Sequence, residues 1–376
     1  MKILYITYYS DLYGANRSLL NQIDSLLKLQ NYEIIVICSS EGDFINEIKK
    51  RNIVYIVIPF KLEISRNNLF LGFIRGVYCC FYNFLLIIKY YKTLEKEKID
   101  IIHSNTSIIF YGAYLSKLLN IPHIWHIREL MEHYSFHYSF GNKYFMYWLK
   151  KAKKVICISN YVYQIRIKKV NSNNALILYN GIISRKTLVN NYIKFIKKNE
   201  STFNFIYVGL LSKSKNPMTA LVAFKNFLEK HPSTHLYIVG SGSEKEKLYS
   251  FVNSYNIQNK VTFTGYIKNV ADFYLNSKVL LMCSDKEALG RVTVEAMSYG
   301  LVVIGYNSGG TSEIVQDHVN GLLYDGDASD LTKKMELIYS KKDLYDTLSQ
   351  NAMKSVEKFT IEDYISNLEK IYLSTL

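Results

Sequence analysis

Two glutamates eight positions apart bracket a glycine turn in the run Glu287-Ala288-Leu289-Gly290-Arg291-Val292-Thr293-Val294-Glu295-Ala296-Met297-Ser298-Tyr299-Gly300. Gly290 permits a sharp turn, and Arg291 to Met297 reads as the opening of a helix. Glu287 then belongs to the loop ahead of that helix and Glu295 to its early turns. Backbone N–H groups at such a start, with the helix dipole behind them, attract an anionic diphosphate. A carboxylate on each side accepts hydrogen bonds from sugar hydroxyls, one set on a ribose and one on a second sugar. Glutamates at this spacing are also common on solvated surfaces, so the flanking elements must decide.

Those elements are strands and glycine turns. Leu280-Leu281-Met282-Cys283-Ser284 is a short apolar strand leading into Glu287, and Leu301-Val302-Val303-Ile304-Gly305 is a second strand after the helix. Then come the glycine turn Ser308-Gly309-Gly310-Thr311-Ser312-Glu313-Ile314-Val315 and the segment Asn320-Gly321-Leu322-Leu323-Tyr324. The same order of strand, turn and helix recurs along the chain. It predicts strands at Ile3–Thr7, Ile34–Cys38, Val54–Ile58, Ile101–His103, His123–His126 and Val155–Ile158 in the first half. A second series follows at Phe203–Val208, His235–Val239, Val261–Thr264, Val279–Met282 and Val302–Ile304. Strands alternating with helices predict mainly parallel α/β sheets. The expected organisation is a Rossmann-like domain over 1–183, a polar lysine-rich linker over 184–201 and a second Rossmann-like domain over 202–357. In open α/β sheets ligands bind at the carboxyl ends of strands, so both inner rims are expected to line a cleft.

Several further groups sit at predicted strand ends. Gly14 and Arg17 follow the first strand, where glycine lets backbone approach a ligand and arginine can neutralise a phosphate. The alternative for that pair is a plain turn with a surface arginine. His103 and His126 end two strands, and Arg128 and Glu129 follow on the loop after His126. Val239-Gly240-Ser241-Gly242 is a strand with a tight turn but lacks the third glycine of a dinucleotide fingerprint. His133 and His137 have the spacing of a helical metal pair, but no HExxH glutamate and no obvious third ligand accompanies them. Asp325-Gly326-Asp327 precedes Ala328-Ser329-Asp330-Leu331 and reads as a turn with a helix cap. No metal site and no cofactor is expected.

The E-x7-E spacing, the following strand and the G-G-x-x-E-I turn resemble family 4 of the retaining glycosyltransferases, of the bacterial polysaccharide-assembly type and GT-B architecture. The likeness covers nearly the whole chain and is sharpest from Val208 to Tyr324. It implies two Rossmann-like domains facing each other across a cleft, with a C-terminal helix (about 358–376) packing back on the acceptor-side first domain. It also implies a nucleoside-diphosphate sugar donor, UDP- ahead of GDP-linked, with no metal requirement. Glu295 is then the ribose ligand and Glu287 the donor-sugar ligand. Lys215 and the N–H groups around Leu289, Gly290 and Arg291 stabilise the leaving diphosphate. His126 matches a histidine that contacts the donor sugar or the acceptor, and the loop of Gly14 faces donor phosphates and acceptor. Gly209 opens the second domain's first loop and Gly240 forms a turn near the base. Tyr179-Asn180-Gly181 is similar to the turn that ends the first domain. One departure stands out: the family's G-R-L-x-x-x-K reads Gly209-Leu210-Leu211 before Lys215, so Leu210 replaces a phosphate-clamping arginine. Lys213 or Arg291 could supply the missing charge.

Composition is consistent with such an enzyme. The chain has 376 residues, 49% of them hydrophobic and 21% charged, which suits two ordinary globular domains. Its five cysteines lack CxxC spacing and read as thiols of a reducing cytosol, and Met1-Lys2-Ile3 enters a strand with no signal peptide. The net charge of +14 invites nucleic acid, anionic lipid or phosphorylated substrate. No nucleic-acid-binding motif is present, which demotes the first. Leu69 to Ile88 is long enough to span a bilayer, but Arg75, Asn83, Gly72 and Gly76 interrupt it, so a buried or interface-lying helix is expected. Lys143 to Lys154 mixes aromatics with a basic cluster, suited to peripheral attachment to anionic lipid or to a core helix with a solvated end. A cytoplasmic protein at the inner face of the membrane, acting on a glycan or polyprenyl-linked acceptor in capsule or cell-wall synthesis, is the expectation. A sugar-nucleotide epimerase of the same architecture and a non-catalytic partner subunit are the alternatives.

Overall fold

The computed structural model describes the chain except residues 67–68, 132–135, 169–172 and 198–201. His133, one of the two histidines at metal-pair spacing, lies outside the described residues. The chain forms two compact units, one of Met1–Gly181 with Ile361–Leu376 and the other of Ile182–Thr360.

The first unit is built on strands β1 (Lys2–Thr7), β2 (Glu33–Cys38), β3 (Val54–Val57), β4 (Ile64–Ser65), β5 (Ile101–Ser104), β6 (His123–Ile127), β7 (His137–Tyr138), β8 (Lys154–Cys157) and β9 (Ala175–Ile177). Seven of these form one sheet in the order β3-β2-β1-β5-β6-β8-β9, and β4 pairs with β7 apart from it. The large sheet is parallel, with β1 hydrogen-bonded to both β2 and β5. Helices on both faces explain why these strands read as continuous apolar runs: Ile3, Leu4, Tyr5 and Ile6 are all fully buried. The second unit carries β10 (Asn204–Val208), β11 (His235–Val239), β12 (Val261–Gly265), β13 (Val279–Met282), β14 (Val302–Tyr306) and β15 (Leu322–Tyr324). They form a six-stranded sheet in the order β12-β11-β10-β13-β14-β15, parallel throughout.

In both sheets the strand order reverses beside the first strand of the unit, β1 or β10. Loops at the carboxyl edge of such a switch point diverge and leave room for a ligand. The helix Ile361–Leu373 belongs to the first unit although the chain reaches it only after the second. Tyr364 donates to Gln22 at 2.7 Å, Gln22 donates to Tyr5 at 2.6 Å, and Tyr372 meets Tyr5 at 2.7 Å. These polar bonds are buried, so they fix the helix position as well as its attachment.

The described part of the expected linker, residues 184–197, corrects that expectation. Arg185–Ile196 is a helix within the second unit, capped by the Ser184 hydroxyl, which accepts from the Thr187 N–H at 3.1 Å. Asn191 is buried and donates to Ser298 at 3.0 Å. The segment's polar composition concealed a helix anchored by one amide. The basic aromatic stretch forms the helix Gly141–Lys151, which buries Phe145 and Leu149 and leaves Lys143, Lys150 and Lys151 exposed. Asp327 caps the helix Ala328–Ser340 by accepting from the Ser329 N–H at 2.8 Å.

Candidate functional site

In the second unit the candidate residues gather on loops at the carboxyl ends of β10, β11, β13 and β14. Leaving β10, the backbone passes Gly209, whose N–H donates to Val239 O at 3.0 Å. Gly240 must be glycine: a Cβ there would lie 1.9 Å from Gly209 O. The two turns thereby pack backbone to backbone. The Tyr207 hydroxyl donates to Leu210 O and Lys215 O at 3.3 and 3.1 Å, tying the next turn to the strand. Lys215 Nζ then forms an ion pair with Glu287 Oε2, which brings the loops after β10 and β13 together. The Glu287 side chain is only 17% exposed, so this carboxylate meets its cation partly shielded from water.

Gly290 sets the turn that follows. Its φ of 91° is left-handed, and it caps the helix Arg291–Met297. Other residues adopt that conformation only at a cost. The loop is held from the other side, where Gly310 N–H donates to Glu287 O at 2.6 Å. Leu289 is buried. Arg291 Nη2 reaches Glu295 Oε1 at 3.4 Å one turn on, partly buried. Glu287, Leu289, Gly290, Arg291, Glu295 and Lys215 thus form one contiguous edge, with two cations, two carboxylates and the amides of a helix start. That set can hold a diphosphate between the cations and sugar hydroxyls on the carboxylates.

Leu210 is 51% exposed on this edge and offers no charge. Lys213 is exposed, and Arg291 faces Glu295. Leu210→Arg is therefore expected to tighten diphosphate binding about tenfold, one charge-assisted contact, as read by calorimetry with UDP. An unchanged affinity would mean that another cation already fills the role.

In the first unit, the loop between β1 and the helix Gly14–Lys28 is organised by Asn16. Its amide donates to Tyr9 O and Asp11 O at 2.6 and 2.7 Å and accepts from Thr7 at 2.9 Å. Gly14 is exposed at the helix start, and Arg17 Nε donates to Leu12 O at 3.0 Å, so part of its guanidinium serves its own loop.

His126 is fully buried at the end of β6 in a chain of bonds that sequence did not reveal. Tyr372 Oη meets His103 Nδ1 at 2.7 Å, His103 Nε2 meets His126 Nδ1 at 3.2 Å, and Arg128 Nη2 meets the same Nδ1 at 3.3 Å. One order satisfies all of them: tyrosine donates to His103, and His103 and Arg128 both donate to His126. His126 then carries its proton on Nε2, which has no partner among the described residues. Burial, and then the charge of Arg128, hold the pKa of both imidazoles well below the ordinary value, so both are neutral. A neutral ring with a buried, unpaired N–H is a fixed hydrogen-bond donor rather than a base. Arg128 itself is buried and bonds Asn105 Oδ1 at 2.8 Å and Asn180 Oδ1 at 2.6 Å, both neutral groups. The signal for it was present in the loop after His126, but its partners lie far off in sequence.

Two parallel Rossmann-like sheets of this kind define the GT-B class, and solved structures bear this out. Anabaena Alr3699/HepE in complex with UDP matches at a TM-score of 0.80 with 20% identity, covering 100% of each chain. Two family models match in sequence: "Glycosyltransferase Family 4" over residues 13–185 and "Glycosyl transferases group 1" over residues 189–355. The chain belongs to the group 1, family 4-type glycosyltransferases, a family of sugar transferases. Among curated relatives, an uncharacterised glycosyltransferase of Methanocaldococcus jannaschii is 28% identical over 74% of this chain and 76% of its own. The N-acetyl-alpha-D-glucosaminyl L-malate synthase of Bacillus anthracis is 25% identical over 85% of this chain and 87% of its own.

Proposed function

We propose that the protein is a retaining glycosyltransferase that moves a sugar from a UDP-sugar to a glycan or polyprenyl-linked acceptor in surface polysaccharide synthesis. Its working place is the cytoplasmic face of the membrane. The observation that carries this reading is the edge of the second unit where Lys215, Glu287 and the helix start at Gly290 are held together. Glu295 binds the ribose hydroxyls and Glu287 those of the donor sugar. Lys215, Arg291 and the amides around Leu289 and Gly290 take the charge that develops on the diphosphate as the anomeric C–O bond breaks. The acceptor oxygen bonds the anomeric carbon on the face the diphosphate leaves, and the acceptor proton passes to a phosphate oxygen. His126, as a neutral donor, orients a sugar or acceptor oxygen. No cofactor and no metal ion are assigned a role. The bound UDP of the Anabaena protein supports uridine over guanosine.

The test is calorimetry of the purified protein against UDP, GDP and their common sugar conjugates without metal. UDP is expected to bind, and Glu295→Ala to weaken it by about a hundredfold or more, the loss of two charge-assisted hydrogen bonds. Binding of GDP alone would reassign the base. Binding of neither nucleotide would overturn the donor site and, with Leu210, favour a non-catalytic subunit.

A further inference from the structure

The helix Leu69–Lys96 is turned inside out relative to a soluble amphipathic helix. Its buried positions recur at helical spacing as Gly72, Gly76, Cys79, Asn83, Ile87 and Leu94. Most of the inner stripe is thus small or polar. The outer stripe holds Phe70, Ile74, Val77, Phe81, Phe84, Leu85 and Ile88, all exposed, with Phe70 at 72% and Phe81 at 63%. A water-facing surface of large apolar residues at this density marks an interaction site.

Its inner stripe rules out one orientation. Asn83 donates to Lys61 O and Glu63 Oε1 at 2.8 and 2.7 Å, and accepts from Lys61 N–H at 2.7 Å. Gly76 packs so closely that a Cβ would lie 2.6 Å from the Ser139 side chain. The helix is long and apolar enough to cross a bilayer, but crossing would tear out these contacts. It lies on its unit with its apolar side outward.

We infer that this outer face seats the protein on an anionic membrane, the helix lying in the plane of the interface with its phenylalanines among the acyl chains. Charge identifies the partner. The helix exposes Arg75, Lys89, Lys92 and Lys96 against the single exposed acid Glu95. Lys61 stands over the rings of Tyr78 and Tyr82 at 5.3 and 4.9 Å. An apolar stripe bordered by lysine and tyrosine matches the boundary between acyl chains and acidic headgroups. A second copy docked through the same stripe with the helices parallel would bring these cations against each other, since a two-fold interface repeats one surface on both sides. The inference deepens the reading of a membrane-linked acceptor, and vesicle binding can be measured without any transfer reaction.

The experiment is sedimentation of the full chain with vesicles of phosphatidylcholine alone and with phosphatidylglycerol added. The protein is expected to pellet with the anionic vesicles and to be released by salt only in part. Phe81→Asp with Leu85→Asp is expected to lower partitioning about a hundredfold. Lys89→Gln with Lys92→Gln and Lys96→Gln is expected to remove the preference for phosphatidylglycerol. Retained UDP affinity and unchanged tryptophan emission show that the variants fold, and they keep failure of docking distinct from failure of the donor site. Equal pelleting of wild type and the aspartate variant would overturn the inference. So would a wild-type dimer that the aspartates dissolve, with no binding to either vesicle.

Discussion

Replacing Lys215 with alanine is expected to slow sugar transfer by about a thousandfold while weakening UDP binding only about tenfold. The asymmetry follows from where charge appears. In the proposed ground state the diphosphate already meets the amides at Gly290 and the cation of Arg291, so one ammonium group contributes modestly. As the anomeric bond breaks, negative charge grows on the leaving oxygen, and a fixed cation there is worth roughly 3–4 kcal/mol. Lys215 is fixed: its carbonyl is held by Tyr207 and its ammonium by Glu287. The variant also strands the Glu287 carboxylate in a shielded position, which adds to the loss. Release of UDP from whichever UDP-sugar the wild type turns over gives the rate, and calorimetry gives the affinity. Equal losses in both would make Lys215 a ground-state ligand, and an unchanged rate would reduce it to a pin between two loops. Lys215→Arg keeps the charge but not the compact ammonium and is expected to recover part of the rate.

A second large effect concerns stability. Glu63 is buried beneath the long apolar helix, and burial pushes its carboxyl up to about 7 from the ordinary 4.5. A folded-state pKa above the unfolded one contributes stability that is fully present below about 4.5 and is lost as pH rises through about 7. The first unit is therefore expected to weaken between pH 5 and 8. Glu63→Gln, which keeps the acceptor for Asn83 but carries no charge, should flatten that slope and gain about 3 kcal/mol at the alkaline end. Both tryptophans, Trp125 and Trp148, belong to the first unit, so urea titrations followed by their emission read that unit alone. A wild-type curve without pH dependence over this range would show that Glu63 finds water or a cation in solution.

The strands that position the candidate donor site were legible because buried parallel strands are unbroken apolar runs, and β11 and β13 have the bounds their sequence implied. The strand β9 was not: three residues after Asn173 and Asn174 carry no period. Nor were β4 and β7, at two residues each. The helix Arg185–Ile196 was missed although Ser184 is a good cap, because lysines and asparagines hide its weak apolar stripe. Glu287 and Glu295 were singled out by their spacing, and Lys215 by the family resemblance. The pairing of Lys215 with Glu287 was not readable, since it spans 72 positions. The hydrogen-bonded setting of His126 was hidden for the same reason. Its tautomer depends on His103 and on Tyr372, which is 269 positions beyond His103. Long-range polar bonds leave no periodic trace. The apolar segment after Leu69 shows a different limit: its residues announced a helix, but only the packing showed that the wrong face is outside.

The return of Ile361–Leu373 to the first unit has a consequence for synthesis. As the chain leaves the ribosome, the sheet containing β1 is made early, but Tyr5, Gln22 and His103 lack their tyrosine partners until the whole second unit has emerged. The second unit, continuous from Ile182 to Thr360, can therefore finish folding first, while the unit translated before it waits half-closed. A nascent chain stalled before Tyr364 would carry a complete second unit while the His126 ring in the first unit is not yet locked in register.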